Sequence, residues 1–328
     1  MPLAAGGNGW QRVLDATELE DSRRTRIEDA RIQLEEDQGI WTGDVQGRVL
    51  LQEATLQAGV TFESISAVLD VDLNINPEAA LVDIDISGAS ATAKKIALSG
   101  LHGRIVSDPY PAAPDMIRIE DLKGYAGGGH VLANAVVGGV EDAWTAEILL
   151  ADARLTQLFP KTTDASDETI TGVVDASLYL TGGGDDSPAP VGVGGFRVTH
   201  GHLARLPMLI AVQQLLHLSS PVVGALAFVD VDFSIRGHEA MLSEIVLASG
   251  PEGGGGFRLQ GDGVLDVDSM MIDARLRPRG NWPIVSDVIG LFQDHLYEFA
   301  VTGAIGSPET ELVPLPGLSS RRAGADSR

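Results

Sequence analysis

Apolar and polar side chains alternate strictly in run after run along this chain, and few folds satisfy that pattern. In Val68–Ile75, Val71, Leu73 and Ile75 alternate with Asp70, Asp72 and Asn74. The same rhythm runs through Gly47–Leu51, Leu81–Ile86, Met116–Glu120, Val173–Leu180, Phe228–Ile235 and Val264–Asp268. A period of two sends successive side chains to opposite faces of a sheet. The Gly, Asn, Asp and Pro residues between the runs are those that hairpin turns require. The pattern predicts a mainly β chain: a long antiparallel sheet with one aliphatic face and one acidic face.

Composition sharpens this reading. The 328 residues carry 46 Asp+Glu against 23 Lys+Arg, a formal net charge of -23, yet 44% of the residues are hydrophobic and mean hydropathy lies slightly above zero. A chain both apolar and acidic must separate the two characters in space, and alternation does so. The acidity argues against nucleic acid, since little basic surface remains to displace phosphate counterions. With Cys 0 there are no disulfides, thiolate nucleophiles or cysteine metal ligands. Met1–Gly9 has no basic region followed by an apolar one, so no signal peptide is predicted. The opening Met-Pro-Leu-Ala-Ala-Gly-Gly reads like the interior of a longer protein. The apolar stretches Leu206–Leu218 and Pro221–Val231 are interrupted by polar residues and fall short of the roughly 20 apolar residues of a membrane helix.

Four segments are expected: 1–38, charge-dense with mixed helix and strand signals; 39–190, a repetitive antiparallel sheet; 191–313, a β region with two short helices; and 314–328, a disordered polar tail. In the first helix Met208, Leu209, Val212, Leu215 and Leu216 share a face; in the second Val285, Val288, Ile289, Phe292 and Leu296 do. Pro207 and Pro283 stand near their starts, where a missing N–H costs least. Gly127-Gly128-Gly129 and Gly254-Gly255-Gly256 each precede an alternating run and read as one hairpin device used twice.

Catalytic and metal chemistry find little support. Asp70-x-Asp72-x-Asn74-x-Asn76 suggests a calcium loop, but Ile75 and Leu81 stand where that loop needs Gly and a bidentate Glu. A solvated strand face is the expectation. His200-Gly201-His202 lacks a third metal ligand nearby and reads as a turn before the first helix. Gly192-Val-Gly194-Gly195 enters an alternating run rather than a helix, so no nucleotide cradle follows. No catalytic residue, cofactor or metal site is predicted, and the expectation is a protein that is not an enzyme.

From about Ile170 to Leu315 the chain resembles the C-terminal region of the AsmA-like family of envelope proteins. The residues that carry the resemblance are Ile170-Thr-Gly-Val-Val-Asp-Ala-Ser-Leu-Tyr-Leu-Thr-Gly-Gly-Gly, Val193-Gly-Gly-Phe-Arg-Val-Thr-His-Gly-His-Leu-Ala-Arg-Leu-Pro-Met-Leu, Phe228-Val-Asp-Val-Asp-Phe-Ser-Ile-Arg-Gly, Leu259-Gln-Gly-Asp-Gly-Val-Leu-Asp, Met271-Ile-Asp-Ala-Arg-Leu-Arg-Pro and the closing Phe299-Ala-Val-Thr-Gly-Ala-Ile-Gly-Ser-Pro-Glu-Thr. The resemblance implies a long curved antiparallel sheet forming an open, β-taco-like groove. It also implies kinship with TamB-like and bridge-like lipid carriers that move phospholipid between inner and outer membrane, hence a place in the periplasm or cell envelope. The chain lacks the family's N-terminal membrane helix and much of the length that spans a periplasm. A C-terminal piece is therefore expected, or a chain working beside an inner-membrane anchor protein or an outer-membrane component.

The residues themselves suit such a role. Two short helices are too few to cover one face of a long sheet, and an uncovered apolar face is filled by a ligand or a partner. Aromatics make up only 5%, so that face is aliphatic and matches phospholipid acyl chains better than sugars, bases or nucleotides. The two apolar helix faces are the candidate lipid-facing or groove-end residues. The rival expectation is an assembly factor that templates outer-membrane β-proteins along exposed strand edges.

Overall fold

The computed structural model describes residues 18–20, 24–38, 40–58, 60–76, 80–93, 95–107, 116–138, 143–158, 171–183, 189–202, 227–250, 258–279, 297–305 and 307–314. They are overwhelmingly strand. In chain order these are β1 (Glu18–Glu20), β2 (Arg24–Asp37), β3 (Ile40–Ala58), β4 (Val60–Ile75), β5 (Ala80–Ala93), β6 (Ile96–Ser107), β7 (Ile117–Ala126), β8 (Gly129–Val137), β9 (Trp144–Arg154), β10 (Thr171–Gly182), β11 (Val191–His202), β12 (Phe228–Arg236), β13 (Glu239–Ala248), β14 (Arg258–Asp266), β15 (Met271–Arg279), β16 (Tyr297–Ala304) and β17 (Glu309–Pro314). A single helical turn, α1 (Leu155–Leu158), follows β9. The expected mainly β antiparallel fold is the one observed. Among the described residues no helix is long and apolar enough to cross a membrane. Both expected amphipathic helices, with Met208, Leu209, Val212, Leu215, Leu216, Val285, Val288, Ile289, Phe292 and Leu296, lie outside the described residues, as does the tail after Pro314.

Two compact units divide the chain: residues 1–163 with 177–190, and 164–176 with 191–328, so the residues of β10 are shared between them. In the first unit β2 through β9 form a meander in which each strand pairs antiparallel with the next. Arg24–Asp37, where the sequence mixes signals, is a long strand on β3, and β1 pairs with the far end of β3 at Glu18↔Gln57. In the second unit β11 through β17 repeat the same scheme. His200 lies inside β11 with φ 53°, in the left-handed range, rather than in a turn before a helix.

A line of bulges crosses the first unit. Five consecutive strands share left-handed residues along it, Glu53 in β3, Ser64 in β4, Gly88 in β5, Gly100 in β6 and Asp121 in β7, while Asp29 in β2 and Gly43 in β3 also have positive φ. At each of the five, two residues face one on the neighbour, as with Gln52 and Glu53 against Ser66, or Ser87 and Gly88 against His102. Such bulges bend a strand and increase its twist. Small side chains meet them: on the aliphatic face Ala54, Ala67, Ala89 and Ala91 are buried beside the bulge line. At Asp121 the backbone N–H donates to Asn134 Oδ1 at 2.9 Å, so a side chain replaces a lost ladder bond.

Gly124 tests this packing. It faces the β6 bulge, and a Cβ there would stand 2.7 Å from Leu101 Cδ2 and 2.9 Å from the Ser99 carbonyl oxygen. Strand propensity alone favours Val over Gly by up to about 1 kcal/mol, whereas overpacking costs about 1–3 kcal/mol. Gly124→Val is therefore expected to lower the urea midpoint. A raised midpoint would show that the bulge is loose.

The three-glycine turn at β7–β8 has its own partner. Arg154 donates its backbone N–H to the Gly127 carbonyl at 2.8 Å, and α1 sets buried Leu158 so close that a Cβ on Gly127 would lie 2.6 Å from Leu158 Cδ2. Gly254–Gly256 lies outside the described residues.

Candidate functional site

Register turns the alternation of separate strands into continuous rows. On one face of the first unit, Gly47, Val71, Ile84, Ile105, Ile119, Ala135 and Ala146 stand opposite one another in succession from β3 to β9. Directly opposed residues share a face with Cβ atoms about 5 Å apart, so the side chains from Val71 to Ala146 form one uninterrupted aliphatic row that ends on Gly47 in β3. A second row, Val45, Leu73 and Val82, runs beside it. None of these side chains reaches core burial; all are half-buried. Towards β2 the face opens further, with Ile27 67% and Ile32 63% exposed opposite Val49 and Val45.

The other face is a ladder of charge. Arg48, Asp70, Asp85, Arg104 and Glu120 are successive cross-strand partners, and Gln46, Asp72 and Asp83 form the next row. Asp70 thus faces Asp85 and Asp72 faces Asp83, arrangements that repel. One acid of each pair is clamped. Arg48 donates from Nε at 2.7 Å and Nη2 at 3.2 Å to the Asp70 carboxylate. Arg104 reaches diagonally to Asp83, donating from Nε at 2.6 Å and also from Nη2. Gln46 donates to Asp72 at 3.1 Å and Asn74 to Asp44 at 2.7 Å. The apparent calcium motif in β4 is thus a strand face whose Asp70, Asp72 and Asn74 are bound to β3 side chains. A shallow depression of about 360 Å³ opens on this face among Asp72, Asn74, Asp83, Arg104, Arg118 and Glu120. Arg104 is committed to Asp83 and Arg118 to Glu120 at 3.3 Å, which leaves the depression no strong anion-binding character.

The Arg104 hydrogen bonds hold the Asp83 carboxyl below its ordinary pKa, against the opposing effect of partial desolvation. A lowered carboxyl pKa adds stability above the unfolded value of about 3.9 and loses it as pH falls through the folded value. The stability gap between wild type and Asp83→Asn is therefore expected to be widest above about pH 4 and to close below it. Chemical denaturation at neutral and acid pH measures that gap; a constant gap would sink this assignment.

In the second unit the aliphatic face is a core. Leu259, Leu276, Phe299 and Val301 are each 0% exposed, and Val231, Ile245 and Leu247 are buried with them. Leu276 faces Phe299 and Gly261, and a Cβ on Gly261 would collide with the Arg275 carbonyl oxygen. The opposite face carries charges, a buried patch of Phe228, Val246 and Ala248, and exposed Met241 opposite exposed Val264. Among the described residues, the half-exposed stretch of the aliphatic face is that of the first unit.

The candidate lipid-facing residues proposed from sequence fall outside the described residues. The row through Val71, Ile84, Ile105 and Ile119 was missed as a site. Each member was visible as an apolar position, but only the register aligns them. No protein-family profile matches the chain, nor does any curated protein or any solved structure.

Proposed function

We propose that this protein is a non-enzymatic binding or transfer module for phospholipid acyl chains, held against the aliphatic face of its first unit. The observation that carries this reading is the half-buried row from Gly47 to Ala146, free of charged and aromatic side chains. Six inter-strand steps of about 4.8 Å give the row a length of about 29 Å, comparable to the roughly 30 Å hydrocarbon core of a bilayer. An aliphatic track without directional groups suits a flexible hydrocarbon chain, which gains about 0.8 kcal/mol per buried methylene. The bulge line supports the same reading: small residues buried beside it on the aliphatic face are what the inside of a bend requires. The acidic face then faces water.

The resemblance to AsmA-like proteins supports a periplasmic or envelope setting, peripheral or anchored through a segment beyond this chain or through an inner-membrane partner. In this reading lipid passes between inner and outer membrane. Native mass spectrometry and lipid extraction of purified protein are expected to find bound phospholipid, and delipidated protein to take up a fluorescent phospholipid saturably. Protein that carries no lipid and takes up none would overturn the proposal.

A further inference from the structure

In a chain with 46 acids and 23 Lys+Arg, arginines concentrate at one place on the charged face of the second unit. Arg275, Arg277 and Arg279 occupy alternate positions of β15 and share one face. Arg258 of β14 stands directly opposite Arg279. Like charges in direct cross-strand register destabilise a sheet, so this pair calls for a compensating anion.

The two inner arginines have one. Glu298, 1% exposed, accepts from Arg275 Nη1 at 2.8 Å and from Arg277 Nε and Nη2 at 3.1 Å. Arg275 also faces Asp262 across the β14–β15 ladder. The outer pair differs. Among the described residues no carboxylate pairs with Arg258 or Arg279, and Arg258 Nε is buried without an acceptor. A buried donor left without an acceptor loses its hydrogen bond to water and gains none in return. Arg279 is exposed, and the side chains of Arg275 and Arg277 remain 54% and 53% accessible.

We propose that Arg258 and Arg279, backed by Arg275 and Arg277, form a binding site for a phosphate group. Two uncompensated guanidinium groups match the charge of about −1.5 to −2 on a phosphate monoester near neutral pH, and their planar forks suit its oxygens. The site lies on the face opposite the buried aliphatic side chains of β14 and β15, beside a buried patch of Phe228, Val246 and Ala248 on its own face, and it serves a phosphate that reaches exposed Arg279: a lipid headgroup or free phosphate. It stands on the arginines alone and does not depend on acyl binding by the first unit.

Isothermal titration with inorganic phosphate and with dihexanoylphosphatidic acid, beside thermal melts in phosphate-free buffer, tests it. Arg258→Gln/Arg279→Gln is expected to melt at or above wild type without phosphate, since it relieves a like-charge pair. It is expected to bind at least about tenfold more weakly, the loss of charge-assisted hydrogen bonds. Arg236→Gln, an exposed arginine at the end of β12, serves as the control and is expected to bind like wild type. Arginine-dependent binding of both ligands identifies the phosphate itself as what is read; binding of the lipid alone identifies a headgroup. No saturable binding of either, or an equal loss in Arg236→Gln, would overturn the site.

Discussion

Phe299→Ala is expected to destabilise the second unit by about 3–5 kcal/mol, a large share of the roughly 5–15 kcal/mol that holds a typical domain together. Phe299 is fully buried, faces Leu276 in register, and shares its core with Val301 and Leu259. Deleting its ring removes the transfer free energy of a whole aromatic side chain and leaves a cavity that fully buried neighbours cannot easily refill. Ile84→Ala in the first unit is expected to cost far less, on the order of 1 kcal/mol, because its side chain is only half-buried and solvent can fill the gap. Hydrogen exchange read peptide by peptide separates the two effects, since each unit reports its own opening. Equal losses for both variants would mean that the two aliphatic faces are buried alike.

Ile84→Asp combined with Ile105→Asp is expected to reduce phospholipid uptake by at least tenfold while the sheet stays folded. The two residues are direct partners in the middle of the aliphatic row. A hydrocarbon chain crossing that point would have to desolvate two carboxylates, at a cost of several kcal/mol per buried ion; about 1.4 kcal/mol already makes a factor of ten. Both positions are partly wetted, so the new carboxylates keep water in the free protein, and the repulsion of the directly opposed pair, about 1 kcal/mol at most, leaves the sheet folded. Asp85→Asn, on the opposite face beside Arg104, is the matched control and is expected to leave uptake unchanged. Normal uptake by a double variant with unaltered circular dichroism would remove the row from the binding path.

The strands were legible where one face is acidic and the other aliphatic. Val71, Leu73 and Ile75 against Asp70, Asp72 and Asn74 could hardly have been anything else, and β4 runs through them. Arg24–Asp37 was obscure because nearly all its side chains are exposed and its apolar positions, Ile27, Ile32 and Leu34, lose their period at the bulge between Glu28 and Arg31. The bulges were hidden for a related reason. Glycine is the residue that announces a left-handed backbone, yet at three of the five positions the chain uses Glu53, Ser64 and Asp121. The arginine site was half-visible: the alternation of Arg275, Arg277 and Arg279 is in the sequence, but Arg258 joins them only through pairing. Burial was not legible at all, since Val71 and Val301 look alike in sequence, and only the second is a core residue.

The bulge line also limits how such a sheet can change its length. Each strand of the first unit meets chiefly its two neighbours in sequence, so stability accumulates from nearest-neighbour terms, as in repeat proteins, and a hairpin could be added or lost without disturbing distant strands. Yet a strand that pairs with a bulged neighbour must set one residue against two there, as β8 sets Asn134 against Glu120 and Asp121; pairing one for one past the bulge would slip the register by one position. A slip of one position carries every later side chain to the wrong face, and the aliphatic row would end there. Growth and shortening of this sheet are therefore quantised: lineages that vary its length are expected to do so in whole hairpins, each keeping the two-against-one step where it meets a bulged strand.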